Sequence, residues 1–153
     1  MSAATMPEAP EPAGDYATAR VAGGLVFTAG MTPRNGSRLV AAGRLGADLD
    51  LKQGKELAAL AAQRAIAAAH HAAENAGVGL AEAVSLTVYL ATTADFTEHT
   101  AVADGASERV AAHLGGPPAA RAAIGVHSLP SGAPVEVSAI FAVSGDVGEN
   151  HHA

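Results

Sequence analysis

Apolar residues change their spacing several times along the chain, and those changes mark out the elements. In Tyr16–Gly30, YATARVAGGLVFTAG, apolar positions are strand-like on both sides of Gly23-Gly24. Two glycines there tolerate positive φ, which predicts a β-hairpin. Met31–Asp50 is loop-like, with Asn35-Gly36 as a turn and a short strand at Arg38–Ala42. From Leu51 to Ala76 the period becomes helical. Asp50 is the candidate N-cap, Gln53 completes a capping box, and Gly77 is a natural residue just past the C-terminus. Ala83–Thr92, AVSLTVYLAT, is rich in β-branched residues and reads as a strand. Asp95–Gly115 is a second helix, weakened by Gly105 in its interior. Two strands, Ala120–His127 and Pro134–Val143, joined by Leu129-Pro130-Ser131-Gly132, close the pattern. The order β-β-(β)-α-β-α-β-β predicts an α+β domain: one mixed sheet with both helices on a single face. The other face is expected to be apolar and in need of a cover, which points to assembly.

Outside this pattern, residues 1–13 are rich in Pro, Ala and Glu without periodicity and read as a flexible leader. Residues 14–143 form the domain, and 144–153, SGDVGENHHA, read as a flexible tail. Apolar residues make up 49% of the 153-residue chain but aromatics only 3%, so the core must be Ala, Val, Leu and Ile. Such a core buries little area per residue, a second reason to expect an oligomer. A net charge of -6 argues against a nucleic-acid or anionic-membrane partner. The absence of Cys excludes disulfides, thiolate catalysis and Cys-ligated zinc. Neither a signal-peptide pattern nor an apolar run near the roughly 20 residues that span a bilayer is present, so a cytoplasmic protein is expected.

Against this economy of charge, the segment from Pro117 to Val143 sets Arg121 and Glu136 into otherwise apolar strands. Together with GDYATARVAGGLVFTAG and VYLATTADF, the segment ARAAIGVHSLPSGAPVEVSAI resembles the RidA/YjgF family of imine deaminases in order and spacing, over nearly everything from Gly14 to Val143. The most specific part is Arg, a short strand, Leu-Pro, a turn and Val-Glu-Val. The chain resembles a divergent branch of that family. The resemblance implies a chorismate-mutase-like fold and a homotrimer around a central β-barrel, with active sites in the clefts between subunits. It further implies hydrolysis of 2-imino acids and their enamine tautomers to 2-oxo acids and ammonia, without cofactor or metal. Arg121 matches the family's substrate-carboxylate arginine, and its fork suits a carboxylate. Glu136 matches the glutamate that positions and activates water. Tyr16 matches a tyrosine lining the pocket, and Gly30 a glycine whose backbone closely approaches the substrate.

Several positions depart from the family pattern. Ala122 replaces a hydroxyl after the arginine, Ala123 stands where many members have cysteine, and Ser138 replaces a second glutamate. On the second helix, Thr100 and Ala103 stand near the places of an Asn and an aromatic. Two alternatives follow: a non-catalytic module binding a small carboxylate, or a specialised biosynthetic enzyme on the same fold. The bland readings are an interface salt bridge for Arg121, a partner role or solvent-facing strand position for Glu136, packing for Tyr16 and a turn for Gly30. His71 and Glu74, three apart on the first helix, lack a third ligand and read as a solvated face. His127 shares side parity with Arg121 but lies six residues along the strand.

Overall fold

A computed structural model describes residues 8–145. The proposed leader up to residue 7 and the proposed tail from residue 146 lie outside the described residues. Strands β1 (Ala19–Ala22) and β2 (Leu25–Thr28) form the first hairpin, with Gly23 and Gly24 at φ of 58° and 78°. Both central residues have positive φ, as a two-residue turn matching strand twist requires. A small second hairpin, β3 (Arg34–Asn35) and β4 (Arg38–Leu39), sits apart from the main sheet.

Helix α1 runs Leu51–Asn75. The Asp50 side chain accepts the Gln53 N–H at 2.8 Å, and the Gln53 side chain accepts the Asp50 N–H at 2.9 Å, a reciprocal capping box. Such a cap stabilises a helix by about 1 kcal/mol. At the far end Val78 N–H donates to Ala73 O and Gly77 N–H to Glu74 O, so a Schellman motif closes the helix. Strand β5 (Gly79–Ala91) follows, then helix α2 (His99–Leu114), strand β6 (Ala120–Val126), a 3₁₀ turn at Pro130–Gly132, and strand β7 (Val135–Ser144).

The main sheet has the order β1-β2-β7-β5-β6 and is mixed: β5 and β6 are parallel, all other neighbours antiparallel. The parallel step is the one bridged by α2, as a parallel pair needs a crossover. Alternate residues of β5 and β7 (Leu86, Val88 and Leu90, with Val135, Val137 and Phe141) are buried beneath the two helices. Across from them α1 presents buried alanines, among them Ala58, Ala61, Ala65 and Ala69. Each methyl contributes about 0.8 kcal/mol on burial, against roughly 1.5–3 for a large side chain. Phe141, Leu45 and Ile66, all 0% exposed, therefore supply more per residue, while the alanines allow close approach of helix to sheet.

The sheet face away from the helices differs from expectation. Phe27 and Ile140 share it with Ser85, Thr87 and Ser138, so it is half polar rather than apolar. Phe27 is nonetheless 42% exposed there and Ile124, further along, 41%. Among the described residues no helix is long and apolar enough to cross a membrane.

Candidate functional site

The register of β5 decides where the two charges point. Arg121 pairs with Leu86 across the parallel β5–β6 step, and Leu86 is buried under the helices. Glu136 pairs with Tyr89 across the antiparallel β5–β7 step. Leu86 and Tyr89 are an odd number of residues apart, so their side chains leave opposite faces. Arg121 therefore points to the helix side and Glu136 to the open side. Within one protomer the two charges therefore do not face one another across one hollow. The strands were assigned rightly; alternation alone could not show how the parities of β6 and β7 are related through β5.

On the helix side, α2 surrounds the Arg121 guanidinium. Nη1 donates to Asp104 Oδ1 at 2.8 Å and to Ser107 Oγ at 2.9 Å, while Nη2 donates to the Thr100 carbonyl at 3.3 Å. Thr100, Asp104 and Ser107 are spaced i, i+4, i+7, one stripe of the helix. The Arg121 side chain is 18% exposed and Asp104 49%. Strand β6 is the edge of the sheet, so this cluster lies beside an unpaired strand where another chain can dock. Asp104 and Ser107 were not singled out from the sequence, although their helical phase with Thr100 was available.

On the open side, Glu136 packs against Gly30. A Cβ added to Gly30 would lie 2.6 Å from both Cδ and Oε2 of Glu136, so any larger residue would have to displace that carboxyl. Gly30 is held there because the next residue bridges to β7: Met31 and Val137 exchange two backbone hydrogen bonds at 2.8 Å. The close approach expected of Gly30 is thus toward Glu136. Burial raises the Glu136 pKa above the ordinary carboxylate value, and no ion pair of Glu136 occurs among the described residues. Deprotonation of a carboxyl held in this way opposes folding. The penalty is absent below the unfolded-state pKa, grows as pH rises through the interval up to the raised folded value, and is complete above it. Glu136→Gln is accordingly expected to melt higher than wild type at pH 7, with the gap closing by about pH 4, as thermal denaturation at the two pH values would show.

Tyr16 is 48% exposed, and its hydroxyl accepts the Ala13 N–H at 3.1 Å. It lies within electrostatic reach of Arg64, whose pKa is lowered by burial first and by Arg34 second. Arg64 donates to the Thr32 carbonyl at 2.8 Å, two residues beyond Gly30. Arg44 ties down His127, donating from Nη2 to Nδ1 at 2.8 Å and to the carbonyl at 3.0 Å. Since a guanidinium only donates, Nδ1 is the acceptor and Nε2 remains to carry a proton. The His71 ring pairs with Asn75 at 3.4 Å along α1.

A hollow of about 220 Å³ on the open face, lined by Phe27, Ser85, Thr87, Ser138 and Ile140, contains neither charge. Another of about 450 Å³ between the helices, lined by Lys52, Lys55, Glu108 and Arg109, also contains neither. The two charges thus lie in two separate places, an arginine cluster at a sheet edge and a Gly30–Glu136 ledge.

Two helices on one face of a mixed sheet, with a parallel edge pair, define the fold class that the comparisons share. The family model described as Endoribonuclease L-PSP matches residues 6–143. Protein TCP17 of Trypanosoma cruzi is 33% identical over 141 residues, spanning 88% of this chain and 85% of its own. Among solved structures, the Agrobacterium tumefaciens protein Atu1372, of unknown function, superposes with a TM-score of 0.80 at 30% identity, covering 88% of this chain and 86% of that one. RidA from an Antarctic Psychrobacter gives 0.57 at 26% identity, covering 88% and 94%. The chain belongs to the L-PSP endoribonuclease family, the family of RidA and YjgF.

Proposed function

We propose that this protein hydrolyses 2-imino acids and their enamine tautomers to 2-oxo acids and ammonia, in cytoplasmic clefts between the subunits of a homotrimer. Arg121 of one protomer anchors the substrate carboxylate, and the partner subunit's Glu136, backed by Gly30, positions water. The observation that carries the reading is the Gly30–Glu136 ledge: a half-buried carboxyl with a raised pKa, packed directly against the Gly30 backbone. Tyr16 lines the same cleft. Because Arg121 and Glu136 leave opposite faces within one chain, the reading requires a site divided between chains.

The chemistry follows from the groups. Water adds to the carbon of the protonated imine as Glu136 accepts one of its protons, giving a tetrahedral aminoalcohol. Return of that proton to nitrogen lets the C–N bond break as C=O forms. Glu136 takes the hydroxyl proton and passes it to the departing ammonia, so that the protonated imine and water give the 2-oxo acid and ammonium. No electrons change hands. The test is to generate 2-iminopropanoate with an amino-acid oxidase and follow its decay; the protein should accelerate it well beyond the buffer rate. A buffer-rate decay, beside 2-oxo acid binding at Arg121, would favour the small-carboxylate binding module instead.

A further inference from the structure

We propose that Asp104 is the specificity-determining residue of the carboxylate site, a built-in anion that the ligand must exchange for its own. The proposal rests on Arg121 being the carboxylate anchor. Its observation is separate: the fork that should receive a ligand already holds Asp104 at 2.8 Å, with Ser107 on the same nitrogen. The pair is partly open to solvent, Asp104 being 49% exposed, so the contact is an exchangeable one and not a locked buried bridge. Every ligand carboxylate meets two costs. The Arg121 fork is free only part of the time, which lowers apparent affinity in proportion. Once displaced, Asp104 remains nearby as a like charge.

Those costs fall unequally on substrate and product. A protonated 2-imino acid carries a cation next to its carboxylate, and the displaced Asp104 can face that cation. The 2-oxo acid formed from it is a plain anion, and Asp104 repels it. Asp104 thereby favours zwitterionic ligands and expels the anionic product. Ser107 and the Thr100 carbonyl have no charge and cannot make this distinction.

The probes are 2-oxobutanoate for the anion and L-2-aminobutanoate for the zwitterion, titrated into the full-length protein by calorimetry or NMR. Asp104→Asn keeps the side-chain size and an acceptor for Arg121 Nη1. It should tighten 2-oxobutanoate roughly tenfold while L-2-aminobutanoate is unchanged or weakened. Asp104→Ala should move both in the same directions. The proposal is overturned if either variant leaves 2-oxobutanoate within about twofold of wild type, weakens it, or fails to bind it at all. Failure of the imine-hydrolysis reading shows elsewhere, as decay of 2-iminopropanoate at the buffer rate with the wild-type protein, and leaves this binding comparison intact.

Discussion

Arg121→Ala should lower kcat/KM for 2-iminopropanoate by at least roughly 100-fold. The estimate comes from the two charge-assisted hydrogen bonds a fork makes to a carboxylate, about 1.5–3 kcal/mol each against water, where 1.4 kcal/mol is tenfold. The exposure of Asp104 limits what its own loss of a partner adds to instability, so the variant should fold. It should not bind normally, because Asp104 then stands beside the ligand carboxylate with no cation between them. Arg121→Lys keeps the charge without the planar pair of donors, and should recover only part of the loss, leaving about a tenfold defect. Decay of enzymatically generated 2-iminopropanoate reads all three proteins, with circular dichroism confirming the fold. Equal rates for wild type and Arg121→Ala would remove the carboxylate anchor from the account.

Glu136→Gln should have the second large effect, on kcat rather than KM. The amide occupies the same ledge against Gly30 and can still orient a water, but it cannot take the proton that water must lose. General-base catalysis contributes about 10²–10⁴-fold, so a loss of about 10²–10³ in kcat with KM within about twofold is expected. The pH profile carries the same signature. Burial raises the Glu136 pKa, so the acid limb of the wild-type kcat profile should lie above the ordinary carboxylate range, and that limb should vanish in the glutamine variant. A variant that retains wild-type kcat would leave Glu136 as a structural wedge only.

Much of this fold is legible in local sequence because it is set by local physics. Asp50 and Gln53 meet in a capping box and Gly77 ends α1 because those are backbone requirements of a helix terminus. Gly23-Gly24 turns the first hairpin for the same kind of reason. Errors arise where tertiary contact decides. Gly105 reads as a weak point in α2, yet a Cβ there would run into the Lys55 carbonyl, so the glycine is what lets α1 and α2 pack closely. Strand β5 starts at Gly79, four residues before the β-branched run, because pairing with β7 extends it as far as Ser144. That pairing also takes β7 one residue into the stretch read as tail.

The candidate site is legible as residue types and not as geometry. Arg121 and Glu136 stand out because charge is costly in an apolar strand. Their facing depends on the β6–β5–β7 register, which is non-local. Asp104 escapes notice because a carboxylate on an amphipathic helix resembles a solvated one until its partner is placed. Gly30 is singled out for a close approach to substrate, and the structure shows a close approach to the Glu136 side chain.

Subunit complementation tests the division of the site between chains. Arg121→Ala and Glu136→Gln proteins, each inactive alone, are unfolded together and refolded as a 1:1 mixture. If every cleft takes its guanidinium from one protomer and its acid from the next, random assembly rebuilds about a quarter of the clefts with both native groups, and that fraction of the deaminase rate returns. A mixture no more active than its separately refolded parents would contradict the shared cleft and, with it, the pairing of Arg121 and Glu136 in one reaction.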